Sequence, residues 1–188
     1  AGMRINPANN GPHRAPMATG ITLRTIATGT ELPVQVPAGA RIGSLSFSPN
    51  GMRLAFTNTR DGRIDLYVAE VATAQAHLVD GAINAIAGGC DWLDDSVTLL
   101  CNFVPTGRGD APTAPKVPSG PNIQETFGKP GPVRTYQDLL TSTHDENLFE
   151  YYYASQLAYV DGASGKRTPI GKPGMVKGTP SPDGQFIL

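Results

Sequence analysis

The chain has 188 residues and a formal net charge of −1, with 16% of its residues charged. That balance supplies no basic field for nucleic acid or for an anionic membrane surface. Glycine (22) and proline (17) together make about a fifth of the sequence, against a usual share of roughly 12%, which excludes a helical bundle and points to a turn-rich, all-β chain.

The opening Ala1-Gly2-Met3-Arg4 has no apolar h-region, so a signal peptide is absent or already removed. No apolar run approaches the ~18–20 residues of a membrane span. Ile21–Ile26 and Leu32–Val36, joined through Thr28-Gly29-Thr30, read as a hairpin.

The clearest pattern lies at 41–79. Leu45 and Phe47 alternate with Ser44, Ser46 and Ser48, the turn Ser48-Pro49-Asn50-Gly51 follows, and Leu54 and Phe56 resume the alternation. Asn-Gly is a strong hairpin signal because both positions reach positive φ at little cost. A second turn, Arg60-Asp61-Gly62-Arg63, leads into Ile64, Leu66 and Val68, and a weaker strand follows around Ala76–Val79. These are four short antiparallel strands.

A 45-residue step carries Phe47 onto Trp92, Asn50-Gly51 onto Asp95-Ser96, Leu54 onto Leu99 and Phe56 onto Cys101. A four-stranded unit repeating at about 40–45 residues is what a propeller blade requires. A third turn, Ser181-Pro182-Asp183-Gly184, repeats Ser48-Pro49-Asn50-Gly51, with Phe186 and Leu188 after it. The outer half of the second unit is displaced: Leu157-Ala158-Tyr159-Val160-Asp161 matches Leu66–Glu70, with a turn at Gly162–Lys166.

Between the two halves lies an insertion, about 104–153. Its first part, 104–132, holds seven prolines and five glycines, too many for a helix or a central strand, and is expected to lack ladder hydrogen bonds. Its second part, Thr135 to Tyr153, has neither residue and predicts one or two short helices, broken at Ser142-Thr143. The fold expected is a partial β-propeller over 1–188. It comprises an amino-terminal segment with an outer hairpin (1–40), one blade (41–80), a second blade with the insertion (83–170) and the start of a third (175–188). Closed propellers typically have about four to eight blades, so the chain reads as a fragment of a larger protein.

Catalytic signatures are absent: there is no Gly-x-Ser-x-Gly, His-Glu-x-x-His, P-loop or Cys-x-x-Cys. His13, His77 and His144 are isolated, so no metal site and no cofactor are expected. Cys90 and Cys101 flank Asp95-Ser96 symmetrically. They either bridge that hairpin or stay as two reduced, half-buried thiols. Disulfides between adjacent strands are geometrically demanding, which favours the thiols. Trp92 is expected to anchor the core. Phe149, Tyr151, Tyr152 and Tyr153 either line a cavity or pack the insertion on the propeller, the second being favoured. Arg4, Arg14, Arg108 and Arg134 are candidate anion contacts, since a guanidinium forks onto a carboxylate. Arg134, opening the helical half of the insertion, ranks first and Arg108 second. The tripeptide Arg108-Gly109-Asp110 reads as a chance match to an integrin-type motif.

Three stretches resemble one family. Arg4-Ile5-Asn6-Pro7 with Asn10-Gly11-Pro12 and Arg14 is similar to the amino-terminal motif of glutamyl-endopeptidase-like serine peptidases, a branch of the prolyl oligopeptidase family. Lys116-Val117-Pro118-Ser119-Gly120-Pro121-Asn122-Ile123-Gln124 resembles that family's insertion. So does Val133-Arg134-Thr135-Tyr136-Gln137-Asp138-Leu139-Leu140 with Asp145-Glu146, Leu148-Phe149 and Tyr151-Tyr152. The resemblance implies a propeller that covers an α/β-hydrolase domain bearing a Ser-His-Asp triad and restricts entry to peptides. The hydrolase domain is missing here, so no triad residue is assigned. Peptide substrates and that missing domain are the implied partners, with no nucleic acid and no membrane. Bacterial relatives imply a periplasmic or secreted protein. A non-catalytic propeller that binds a protein partner is the alternative class.

Overall fold

The computed structural model describes residues 4–115, 128, 140 and 142–188. Two short strands, β1 (Ile5–Asn6) and β2 (Gly11–Pro12), pair as a small hairpin. A second hairpin joins β3 (Thr22–Arg24) to β4 (Glu31–Pro33). The first four-stranded sheet runs β5 (Ile42–Phe47), β6 (Arg53–Arg60), β7 (Arg63–Glu70) and β8 (Ala76–Asp80) in chain order. The second sheet holds β9 (Cys90–Trp92), β10 (Thr98–Phe103), β11 (Ser155–Asp161) and β12 (Arg167–Gly174) in the same order and the same antiparallel sense. Between β10 and β11 stands helix α1 (Thr143–Tyr153). These sheets are two blades of an all-β partial propeller.

The two-residue period of the strands makes three layers. Leu54 and Phe56 of β6, with Ala69 of β7, turn toward the β3–β4 hairpin and pack with Val34, Ile21 and Leu23. Ala55, Ile64, Leu66 and Val68 turn the other way and share a core with Leu99, Cys101, Phe103, Ala158 and Val160 of the second blade. A Leu, Val, Ile or Phe fully buried in this manner contributes roughly 1.5–3 kcal/mol, so each blade is held mainly by its neighbours.

The 45-residue step is a structural equivalence. Phe47 pairs with Leu54 and Leu45 with Phe56; in the second blade Trp92 pairs with Leu99 and Cys90 with Cys101. Three inner turns close alike: the N–H of Gly51 donates to Ser48 O, that of Ser96 to Leu93 O and that of Gly184 to Ser181 O. The residue at positive φ is Gly51 (72°), Ser96 (59°) or Gly184 (66°). Asn50 stays at negative φ, so the turn is the wider form set by Pro49 and Gly51, not a two-residue Asn-Gly turn. The chain reaches its third turn and pairs 179–188 into a hairpin, with Thr179 and Leu188 exchanging both backbone hydrogen bonds.

Two expectations need correction or limits. Cys90 and Cys101 form a disulfide, not two free thiols, with Cα atoms 4.1 Å apart. The physical reason lies in their register. They face each other in a non-hydrogen-bonded pair, flanked by the Asn102 N–H to Gly89 O bond, and such pairs bring opposing side chains closest. The disulfide occupies the place of the Leu45–Phe56 contact. In the insertion, Ser142 caps α1, its hydroxyl accepting from the Asp145 N–H, so the expected break is a helix start. The segments 116–127, 129–139 and 141 lie outside the described residues, and with them the expected first helix and most of the Pro/Gly-rich stretch.

Candidate functional site

The β6–β7 turn of the first blade is the four-residue Arg60–Arg63 connection; at the equivalent place in the second blade, between β10 and β11, the chain inserts about fifty residues. Both emerge at one rim, where the Thr59 N–H donates to Arg41 O and draws the entry to β5 alongside. Arg41 donates from Nε to Thr59 O and from Nη2 to Asp61 Oδ1 (2.8 Å). Asp65 is fully buried; Arg63 Nε lies 2.7 Å from its Oδ1 without hydrogen-bond alignment, and Arg60 Nη1 lies 3.4 Å from Oδ2. Arg41, Arg60, Asp61 and Tyr67 border an open cleft of about 500 Å³.

Beside it the insertion is pinned by its helix end. The last carbonyls of a helix have no partner within the helix, and here propeller side chains satisfy them. Asn84, fully buried, donates from Nδ2 to Tyr152 O and Ala154 O. Its Oδ1 accepts from Asn10 Nδ2 at 2.7 Å and from the N–H groups of Ile86 and Ala87. Asn10, at φ 55°, also donates to Tyr152 O. Arg108 Nη1 donates to Asn10 Oδ1 (2.8 Å) and Tyr151 O (3.1 Å), and its guanidinium carbon sits 4.1 Å from the Tyr151 ring centre. A cation at the negative end of α1 is favoured by the helix dipole. The Tyr151 hydroxyl donates to Gly109 O, which folds the Arg108-Gly109-Asp110 tripeptide back on the helix. Arg108, Asn147, Glu150 and Tyr151 border a further open groove of about 290 Å³.

Arg108, in the first part of the insertion, is therefore joined to the amino-terminal segment through Asn10 and to helix α1 through Tyr151. Arg134, ranked first by sequence, lies outside the described residues. Arg4 and Arg14 are exposed and apart from this junction, Arg14 at φ 56°. Within α1, Phe149 stacks on Tyr153 and Tyr151 meets Tyr152 edge-on, and Tyr151 also borders the groove. Trp92 packs on the shared core and donates from Nε1 to Ser46 O of the first blade. His77 Nε2 contacts Gly162 O at 3.0 Å. Among the described residues no cluster of His, Cys, Asp and Glu could hold a metal ion, and no helix is long and apolar enough to cross a membrane. Sequence reasoning missed Asn84 and the Asp65–arginine group; Asn10 entered only as part of a quoted motif.

Over its whole length the chain is 34% identical to a probable chloroplastic glutamyl endopeptidase of Oryza sativa subsp. japonica, covering 22% of that protein. The corresponding Arabidopsis thaliana protein is 33% identical, again across the whole chain and 21% of the relative. The chain is a relative of the glutamyl endopeptidases. It spans about a fifth of the length of these curated relatives. A structure from a mechanistic study of two prolyl endopeptidases aligns with 95% of the chain and 24% of its own, at 15% identity and a TM-score of 0.54; at that identity the likeness concerns the fold alone. No family model matches the chain. The glutamyl-endopeptidase relationship agrees with the motifs at Arg4–Arg14 and in the insertion.

Proposed function

We propose that the chain is the propeller part of a serine peptidase. The parent hydrolyses peptide bonds with a Ser-His-Asp hydrolase domain outside these 188 residues, and the propeller gates and positions peptide substrates. The observation that carries this reading is the whole-length relationship to the glutamyl endopeptidases. The division into 1–40, 41–80, 83–170 and 175–188 belongs to the same proposal. A fluorophosphonate probe applied to the full-length protein should label one serine outside the chain. Absence of both labelling and peptidase activity would favour a binding module.

Within this reading the insertion rim faces the hydrolase domain. Arg134 receives the carboxylate of an acidic substrate side chain, and Arg108 is the second candidate. The hydrogen bonds of Arg108 to Asn10 and Tyr151 support a positioning role for it. In the full-length enzyme, Arg134→Ala should lower kcat/KM for a Glu-containing peptide by about tenfold or more relative to a neutral one, equal to ~1.4 kcal/mol of transition-state discrimination. An equal change on both peptides would make Arg134 structural and end the assignment.

A further inference from the structure

The face of β6 that carries Leu54 and Phe56 into the core changes character toward the rim. Side chains alternate along a strand, so Leu54, Phe56, Asn58 and Arg60 share one face. Across β7 they stand opposite Ala69, Tyr67, Asp65 and Arg63. The blade fold does not require this polar half. One 45-residue step on, the place of Asn58 is taken by Phe103, which is fully buried in the core between the blades.

Asn58 is only 5% exposed. Its Oδ1 accepts from the Arg41 N–H at 2.9 Å, which fixes the orientation of the amide, because the flipped form would set donor against donor. Nδ2 is thereby left without a partner among the described residues, at the wall of the cleft of about 500 Å³. A buried donor left unpaired is costly, and in a native fold it calls for a partner.

The rest of that wall repeats the same one-sided chemistry. Thr59, 7% exposed, adds a hydroxyl, and Tyr67, its ring stacked on Phe56, adds another. Arg41 engages Thr59 O and Asp61 Oδ1 through Nε and Nη2, which leaves Nη1 without a partner among the described residues. Arg60 is held there only by the 3.4 Å contact to Asp65 Oδ2. Three guanidiniums, those of Arg41, Arg60 and Arg63, thus meet two carboxylates, Asp61 and Asp65, with one positive charge in surplus. A single carboxylate balances that surplus and matches the fork of a guanidinium; a doubly charged phosphate would exceed it.

We propose that this cleft binds a carboxylate group, received by Asn58 Nδ2 and the guanidiniums of Arg41 and Arg60, with the Tyr67 hydroxyl as a further donor. The group comes from a free dicarboxylic acid or from the side chain of an acidic peptide. The site shares no residue with the groove at Arg108, and the inference holds whether or not the parent is a peptidase.

In the full-length protein, phenylglyoxal should modify Arg41 and Arg60, read by peptide mass spectrometry, and glutarate or N-acetyl-glutamate amide should slow both reactions. The unliganded fraction falls as 1/(1 + [L]/Kd), so ligand at about four times its Kd should slow them about fivefold. Glutaramide and N-acetyl-glutamine amide should not protect, and Arg24 on the β3–β4 hairpin should react at an unchanged rate. Protection by glutarate assigns a free dicarboxylate; protection by N-acetyl-glutamate amide alone assigns an acidic side chain. Asn58→Asp keeps the oxygen that accepts from Arg41 and replaces the donor with a charge, so it should abolish protection. Should that variant fail to fold, Arg60→Gln should raise the glutarate concentration needed to protect Arg41. Arginines unreactive without ligand, no slowing by either carboxylate, or equal slowing by the neutral amides or at Arg24 would overturn the proposal. So would protection by inorganic phosphate alone, or protection unaltered in the variants.

Discussion

Asn84 has no exposed surface, yet its amide meets two helix carbonyls, the Asn10 side chain and two backbone N–H groups. Removing it takes this partner from Ala154 O and from the N–H groups of Ile86 and Ala87, while Asn10 and Tyr152 O keep their bond to each other. The loss of a buried partner costs more than the bond contributed net. Asn84→Ala should cost about 2–4 kcal/mol of stability, read as a lowered urea midpoint. Asn84→Ser, which keeps one donor, should lose less; equal midpoints for Asn84→Ala and wild type would show that α1 is held elsewhere. Nothing in Ile83-Asn84-Ala85 announces this role, because its partners stand up to 74 residues away. The arginines were legible as candidates from their chemistry. That Arg108 closes a helix end was not, since helix and arginine meet only across the insertion. The disulfide was half legible: the symmetric spacing about Asp95-Ser96 put the cysteines on facing strands, and only the register decided which kind of pair they make.

At the scale of turns and strands, the three outer turns offer an internal comparison. Ala74 holds the positive φ that glycine holds at 29 and 165. Gly29→Ala should therefore cost only the ordinary conformational penalty, about 1 kcal/mol. Gly165→Ala should cost clearly more, because a Cβ there would collide with the Val79 carbonyl of the first blade. Similar unfolding midpoints for the two variants would contradict this.

Turn carboxylates also set the acid response. The backbone and hydroxyl of Ser164 hold Asp161 below the ordinary 3.8. At Asp95 burial is the largest single influence and acts upward, but the hydroxyl and N–H of Thr98 with the N–H of Val97 together outweigh it. Asp183 is lowered chiefly by the Ser181 hydroxyl. A folded pKa below the unfolded one gives stability that is complete above the unfolded value and is lost as pH falls through the folded value. The loss should begin below 3.8 and continue to lower pH. Thermal melts across that range should show a shallower acid limb for Asp161→Asn, whose oxygen still accepts from Ser164; an unchanged slope would refute the assignment.

Across the whole molecule, Arg167 of β12 ties the second blade to the first. It donates from Nε and Nη2 to the two oxygens of Asp80, at 2.8 and 2.6 Å, and lies 3.5 Å over the Phe103 ring. Both side chains are mostly covered, at 29% and 20% exposure. A lysine keeps the charge but loses the planar fork and the stacking. Arg167→Lys should cost about 1–2 kcal/mol, and a double-mutant cycle with Asp80→Asn should return a non-zero coupling. Additive effects would mean that the Arg167–Asp80 pair does not help to hold the blades together.

The sequence by itself determined the repeat. Period-two apolar strands, turns of recurrent chemistry and the 45-residue step specify a blade locally, because strand face and turn conformation depend on neighbouring residues. The position of the insertion between the second and third strands of its blade followed from the displaced match at Leu157–Asp161. Tertiary structure alone decided which polar groups meet at the rim, because Asn10, Asn84, Arg108 and Tyr152 come from four separate segments. It also decided that the cysteines bond and that Leu45 and Phe47 remain half uncovered. Each of these depends on register and on which blade stands alongside, and burial is a property of the neighbour as much as of the residue.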